Sequence, residues 1–379
     1  MDKHFELTDK FIINAFGIKL FQIKCTRKIK YADVGDLGGY IEKEDNLSGD
    51  AWVYGNARVY GNAWVYGNAR VSGDAWVYGN AQVSGDAQVA GDAQVSGNAQ
   101  VYGDAQVAGD AQVYGNARVY GNAWVSGNAW VSGDAQVYGD AQVYGNAQVA
   151  GDARVYGNAR VYGNARVYGN DRVAGDAQVY GNAQVAGDAR VYGNARVYGN
   201  ARVYGYAWVS GDAQVYGDAQ VYGDAQVYGN ARVYSNAWVS GDAQVSGNAR
   251  VYGNARVYGY AWVSGYAQVY GDAQVYGNAR VYSNAWVSGD AQVYGYAQVS
   301  GDAQVANNNE HCGFDCFGSV GRHTHAYKTQ SGKVEIICGC FRGSIEEFEA
   351  QVKKTHQGNE FERQYIAIAE VIKIKFGLK

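Results

Sequence analysis

The chain of 379 residues contains no proline, a single methionine and five cysteines. The absence of proline excludes collagen-like segments and proline-rich linkers, and so few cysteines in a long chain do not indicate a disulfide scaffold. No apolar run approaches the ~18 residues that a membrane-spanning helix needs. The amino terminus lacks the apolar segment of a signal peptide. We therefore expect a cytoplasmic protein that does not act at a membrane.

Neither sign of charge dominates the chain, because 32 basic and 36 acidic residues give a net charge of −4. Proteins that bind nucleic acid through electrostatic attraction usually carry a basic patch or stripe. No region of this sequence is strongly basic. We expect no nucleic-acid partner.

The chain is instead rich in glycine, with 53 residues, and in tyrosine, with 34. Residues 49–306 divide without insertion into 43 six-residue units, here called hexads, of the form G-[ND]-A-[RQW]-V-[YSA]. The alternation A-x-V-x has the period of a β-strand, and Gly-Asn or Gly-Asp is a turn signal. A fixed period of this kind indicates a solenoid. Each hexad is therefore predicted to form one short strand and one corner, with Ala and Val inside.

The hexad V-Y-G-N-A-R resembles the hexapeptide repeat of left-handed β-helix proteins. The resemblance covers about two thirds of the chain. It implies an all-β solenoid, a single-stranded left-handed parallel β-helix with three hexads in each triangular coil. On that basis 43 hexads form about 14 coils. The left hand of the coil comes from the resemblance alone.

Departures from the repeat are few. Asp171 stands in the Ala position, where a carboxylate would point inward at a cost unless it is satisfied. The other departures are interpreted as drift in a redundant array: Ser235 and Ser283 in the Gly position, and Tyr206, Tyr260, Tyr266 and Tyr296 in the Asn/Asp position. The nine tryptophans fall equally on the three predicted sides. Their distribution therefore indicates no side-specific binding surface.

Residues 1–48 lack the repeat and are predicted to form a small N-terminal β cap. Segments 11–16 and 20–25 flank Gly17 in the pattern of a hairpin. The stretch G-D-L-G-G-Y-I at 35–41 resembles the segment that precedes the coils in bacterial and phage hexapeptide-repeat proteins. We expect this region to cover the first coil, whose open edge would otherwise pair with other chains.

Residues 307–379 are predicted to form a C-terminal α+β domain with the order hairpin, helix, helix. Segments 324–330 and 333–341 have the pattern of the two hairpin strands. The sequence C-G-C-F-R-G-S-I-E-E-F at 338–348 resembles a C-terminal domain of bacterial and prophage repeat proteins. That resemblance implies no chemistry.

Two helices complete the predicted domain. Ser344 and Glu347 form a capping box for a helix that ends near His356, with Gly358 as its C-cap. Apolar residues spaced over 361–372 predict a second, amphipathic helix.

Cysteine and histidine concentrate in the same C-terminal region, and both are zinc ligands. The candidates for a zinc site are Cys312, Cys316, His323, His325, Cys338 and Cys340, with His311 nearby. However, C-x-C is not the usual zinc-binding pair, and Cys338 alternates with Val334 and Ile336 as a core residue would. Unligated thiols and a redox pair or disulfide are the alternatives. We expect no metal and no cofactor.

Many hexapeptide-repeat proteins are acyltransferases, so the resemblance raises this activity first. Those enzymes use a histidine general base in or beside the coils, usually with a loop extruded from them. Residues 5–310 contain no histidine, and no loop interrupts the hexads. We therefore predict no catalytic residue and no enzymatic activity.

The repeat is predicted to be a non-enzymatic structural or interaction rod that self-associates laterally or serves as a rigid spacer. It resembles the polymer-forming, cytoskeleton-like hexapeptide-repeat proteins of bacteria and their prophages. Its partner would be a second copy or an unidentified protein. The alternative is binding of carbohydrate or another surface through ladders of Tyr and Trp.

Overall fold

The computed structural model describes residues 3–378, and the chain divides into two compact units, residues 1–199 and 200–379. Unit 1 contains the N-terminal segment and 25 repeat strands. Unit 2 contains 18 repeat strands and the C-terminal segment.

Each hexad forms one strand, made of the variable fourth residue and the Val that follows it. The first repeat strand is Trp52–Val53, the second is Arg58–Val59, and the same two positions form every later strand up to Gln304–Val305. Four strands are longer, namely Gln148–Ala150, Arg166–Gly169 and Gln184–Gly187 in unit 1 and Arg202–Gly205 in unit 2. The alternation in the sequence therefore predicted the strands correctly.

Repeat strands pair in parallel with the strand three hexads further along the chain. In unit 1, Gln100–Val101 pairs with Arg118–Val119; in unit 2, Arg232–Val233 pairs with Arg250–Val251. One turn therefore has three strands and 18 residues. Both units are parallel β-solenoids, with about eight turns of hexads in unit 1 and six in unit 2, which agrees with the predicted 14. The hand of the coil stays a prediction.

Ala and Val of the hexads fill the interior of each solenoid, and nearly all are fully buried. Gly at the corner has a positive φ, for example 72° at Gly115, a conformation that side chains disfavour. A Cβ atom on Gly115 would lie 3.0 Å from the backbone nitrogen of Gly133, one turn away. The corner therefore needs Gly both for its backbone angle and for the close approach of successive turns.

The N-terminal segment of unit 1 forms the predicted hairpin, from β1 (Phe5–Ile13) and β2 (Lys19–Cys25). β3 (Leu37–Ile41) pairs antiparallel with β2 and, on its other side, in parallel with Arg58–Val59. A short 3-10 helix, Glu44–Asn46, follows. The parallel ladder thus begins before the first hexad, and this segment lies over the first turn as expected. The domain boundaries at 48 and 306 stay predictions.

The C-terminal segment of unit 2 contains a four-stranded antiparallel sheet rather than a hairpin alone. The two predicted strands are Arg322–Lys328 and Val334–Cys338. His311–Phe317 and Phe341–Gly343 flank them and were not predicted.

Two helices follow the sheet, α1 (Ile345–His356) and α2 (Glu360–Phe376), and pack on it through apolar residues such as Phe348 and Ile368. The capping box at Ser344 is present, as predicted. The C-cap prediction was wrong by one residue, because Gln357 with φ 46° is the left-handed residue that ends α1. No helix in residues 3–378 has the length and apolar character needed to cross a membrane.

Candidate functional site

Tyrosine at the last position of the hexad stacks on tyrosine one turn away. In unit 1, ring centroids along one stack are 4.8 to 5.0 Å apart and neighbouring rings are inclined by 1 to 3°. This stack contains Tyr102, Tyr120, Tyr138 and Tyr156, and a second contains Tyr144, Tyr162, Tyr180 and Tyr198. Unit 2 has the stacks Tyr216, Tyr234, Tyr252, Tyr270 and Tyr258, Tyr276, Tyr294. Side chains outside the core therefore form rows that repeat once per turn.

Asparagine at the corners forms rows of the same kind. Asn80 Nδ2 donates a hydrogen bond to Asn98 Oδ1, and Asn98 Nδ2 donates one to Asn116 Oδ1, both 3.0 Å long. The row continues from Asn116 to Asp134 at 2.9 Å. Each amide nitrogen thus donates to the side-chain oxygen of the next residue in the row, and these hydrogen bonds stabilise the stacking of turns.

Asp171 lies in the interior of unit 1, with none of its surface exposed. Its Oδ1 accepts a hydrogen bond from the backbone nitrogen of Ala189 at 2.9 Å, whereas Oδ2 has no partner in the described residues. Burial raises the pKa of this carboxyl to about 7, and hydrogen bonds from the Ala189 and Tyr168 backbone oppose that rise. Asp171 therefore takes up a proton near neutral pH.

The corner that leads to Asp171 and the corner one turn later, at Gly187, differ from the usual corner of the hexads. The strand Arg166–Gly169 runs through the first of these corners and pairs with Gln184–Gly187 over four residues. Gly169 and Gly187 both have φ of 89°, compared with 72° at Gly115. The backbone thus adjusts locally where a carboxyl replaces a methyl group.

Three histidines of the C-terminal segment line one cavity of about 390 Å³, together with Asp315 and Cys312. His311 Nδ1 lies 3.1 Å from His325 Nε2, and His323 Nδ1 lies 2.6 Å from Asp315 Oδ1. Burial lowers the pKa of His311 to about 4 and that of His325 well below its usual value. His311 and His325 are therefore neutral imidazoles at neutral pH.

Of the cysteines predicted as zinc ligands, only Cys312 lines this cavity. Cys316 and Cys340 are exposed, and Cys338 is buried in the core between sheet and helices. Burial raises the pKa of Cys312 to about 11, so it is a neutral thiol. All five cysteines of the chain are unbridged. No group of three or more His, Cys, Asp or Glu side chains in residues 3–378 is placed so that it could hold a metal ion.

Sequence reasoning missed Asp315, because it did not predict the strand His311–Phe317. The antiparallel register of this strand sets Gly313 against His325 and Phe314 against Thr324. That register brings His311 and Asp315 to the cavity. The sequence signal that comes nearest to indicating this cavity is the spacing of His323 and His325, which lie two residues apart and therefore on the same face of their strand.

Parallel pairing every 18 residues, buried Ala and Val, and corner Gly with positive φ define a β-solenoid repeat protein. A family model described as YdcK Beta solenoid repeat matches segments that together cover just over half of the chain. The chain therefore belongs to the YdcK Beta solenoid repeat family. The matched segments are residues 51–67, 65–79, 93–109, 111–127, 141–157, 153–169, 159–176, 177–193, 189–200, 195–211, 225–241, 243–253, 249–265 and 273–289. No curated protein matches the chain.

Proposed function

We propose that the protein is a non-enzymatic structural element of the cytoplasm that acts by lateral self-association of its solenoids. The observation that carries the proposal is the in-register repetition of outward side chains within each unit. A row that presents the same group once per turn makes many weak contacts with another such row, and these contacts add up. Lateral association is also what the resemblance of the repeat to polymer-forming, cytoskeleton-like hexapeptide-repeat proteins implies.

The absence of histidine from the hexads supports a non-enzymatic role. All five histidines of the chain lie outside residues 5–310. Those that line the C-terminal cavity include two imidazoles that burial keeps neutral, and this cavity lies beside the last turns rather than between coils. An acyltransferase-like site would need a histidine general base at the coils.

Self-association can be tested by sedimentation velocity of the full chain over a wide range of concentration. We expect the weight-average sedimentation coefficient to rise with concentration. A strict monomer at the highest concentration would overturn the proposal and favour a role as a rigid spacer.

A second candidate function is carbohydrate or surface binding, and one observation in unit 2 favours it. The corner tyrosines Tyr206, Tyr260, Tyr266 and Tyr296 are 61 to 68% exposed. The stacked tyrosines are less suited to sugars, because each ring face within a stack is covered by the next ring. Glycan-array binding that is lost when these four corner residues are replaced by Asn, the common residue there, would support this function.

A further inference from the structure

One side of unit 1 carries a charge pattern that occurs nowhere else in the repeats. Eighteen hexads have Asp at the second position, and in sixteen of them the fourth residue is Gln or Trp. The two exceptions, G-D-A-R at 151–154 and 187–190, are separated by two turns. The hexad between them on the same side is G-N-D-R at 169–172, which contains Asp171. Charge, unlike tryptophan, therefore distinguishes one side of the solenoid.

The arginines of these hexads form one exposed row. Arg154 pairs in register with Arg172, and Arg172 with Arg190, so their spacing is one turn, about 4.8 Å. All three side chains are exposed. None of them forms an ion pair within 4.0 Å in the part of the chain that the structure describes.

A second row runs beside the arginines and contains Asp152, Asn170 and Asp188. Each of these residues lies two positions before an arginine, which places the rows about 7 Å apart. Both rows line a shallow groove of about 410 Å³, together with Asp134 and Gln136 of the preceding turn. One side of unit 1 thus has adjacent acidic and basic rows with the same axial spacing.

An acidic row beside a basic row allows two copies of the chain to pair through the same surface, but only in one relative orientation. If two such sides face each other across a two-fold axis parallel to the solenoid, the acidic row of each copy lies opposite the basic row of the other. Arg154 then meets Asp152 of the second copy, and Arg190 meets Asp188. An antiparallel arrangement would instead place like charges opposite one another. Contacts of this kind are reciprocal, so they form a closed, isologous interface.

We infer that the groove lined by residues 134–136, 152–154, 170–172 and 188–190 is an interface between two parallel copies of this chain. The inference rests on the proposed self-association and names the surface that carries it. Carboxylates favour the planar guanidinium group, which they can bind with two parallel hydrogen bonds. Four such Arg–Asp contacts form across the two-fold axis at the two G-D-A-R turns.

A second copy fits this side better than a nucleic acid or another polyanion does. Phosphates approaching the arginine row would come close to Asp152 and Asp188, about 7 Å away, and would be repelled. The acidic row that weakens binding of a polyanion is the same row that a second copy requires.

Charge reversal tests the interface directly. One variant combines Arg154→Asp with Arg190→Asp, and the other combines Asp152→Arg with Asp188→Arg. Each variant alone sets like charges opposite one another, so its self-association should weaken about tenfold or more. An equimolar mixture of the two restores opposite charges at every contact, and we expect association to return. The measurement is sedimentation velocity of full-length chains at about 50 mM and about 500 mM salt, because screening weakens exposed pairs.

The matched control combines Arg160→Asp with Arg196→Asp. These exposed arginines lie on a different ladder of the same unit, in register with Gln178 between them. The control has the same change in charge and should associate like the unchanged chain. Circular dichroism of each variant shows whether it is folded.

The outcomes separate this inference from the proposed function. If the unchanged chain associates and neither charge variant alters it, the inference is wrong while the proposed function stands. If the unchanged chain is a monomer at low salt, both fail. Binding of heparin that requires Arg154 and Arg190, by a chain that stays monomeric, would assign the side to a polyanion and overturn the inference.

Discussion

Protonation and folding are linked at Asp171, the carboxyl inside the solenoid of unit 1. Its pKa is about 7 in the folded chain, compared with an ordinary value of 3.8, because the ionised form is buried. The stability that comes with the protonated carboxyl is therefore complete below pH 3.8 and is lost as the pH rises through 7. The change amounts to about 4 kcal/mol.

We predict that Asp171→Ala, which restores the common residue, removes this pH dependence. The free energy of unfolding of the unchanged chain should fall between pH 3.8 and about pH 7 relative to that of the variant, and level off at higher pH. Urea unfolding followed by circular dichroism at several pH values measures the difference. Asp176→Asn, which removes an exposed carboxylate, should leave the pH dependence in place. If Asp171→Ala shows the same slope as the unchanged chain, the buried carboxyl does not titrate as described.

Ser235 and Ser283 adopt the corner conformation that elsewhere belongs to Gly, with φ of 59° and 62°. A left-handed backbone costs a residue with a Cβ atom roughly 1–2 kcal/mol. We predict that Ser235→Gly and Ser283→Gly each raise the free energy of unfolding by about 1 kcal/mol. Ser240→Gly, at the last position of a hexad, should bring no gain. Equal effects at Ser235 and Ser240 would show that backbone strain is not the cause.

At the scale of elements, the tyrosine stacks should stabilise the solenoid in proportion to the ring contacts that each residue makes. In unit 2, Tyr234 contacts Tyr216 and Tyr252, whereas Tyr270 contacts Tyr252 at the end of its stack. An aromatic pair contributes about 0.5–1.5 kcal/mol beyond burial.

We therefore predict that Tyr234→Ser costs about twice as much stability as Tyr270→Ser. Serine occurs naturally at this position of the hexad, so neither change should disturb the backbone. Denaturant unfolding of both variants provides the comparison. Equal losses would mean that the rings contribute through burial alone.

Elements with a local pattern were predictable, and elements formed by distant pairing were not. The repeat strands follow from the alternation of inward Ala and Val with variable residues, and α1 follows from the Ser344 capping box. The strand His311–Phe317 lacks a regular apolar alternation and forms because it pairs with Arg322–Lys328. The same pairing places Asp315 beside His323, so the histidine cavity could not be derived from the sequence. The cost of burial at Asp171 was predictable, but its hydrogen bonds to the backbone and the altered corner were not.

At the scale of the whole molecule, the chain must protect the last turn of hexads in unit 2. Backbone N–H groups of each turn donate to the next turn, as Trp286 does to Ala303 at 2.8 Å. No further turn follows the last one, and the C-terminal segment supplies hydrogen-bond partners there instead. Glu310 Oε2 accepts from the Ala306 nitrogen at 2.7 Å, and Gln330 nitrogen donates to the Asp302 carbonyl at 2.9 Å.

We predict that a chain ending at residue 306 aggregates at concentrations where the full chain does not, because open strand edges pair with one another. Light scattering measures the difference. A second truncated chain carries Gln304→Pro. Proline removes the backbone N–H of residue 304 at the open edge and breaks no hydrogen bond to the preceding turn, so this chain should aggregate less. If both truncated chains stay dispersed, the C-terminal segment is not needed to protect the edge.

The constant separation of 18 residues between paired strands has a consequence for how the chain folds. Contacts are close in sequence for a β protein, so folding can begin at many turns independently. However, a strand that pairs one turn too far along finds the same Gly, Ala and Val, so the contacts inside the solenoid do not distinguish the two registers. Segments that nucleate separately will therefore often meet out of register, with a surplus turn of chain looped out between them. The chain has no proline to isomerise slowly, so the slow phase of folding should be the correction of these slipped registers, guided by the non-repeating ends.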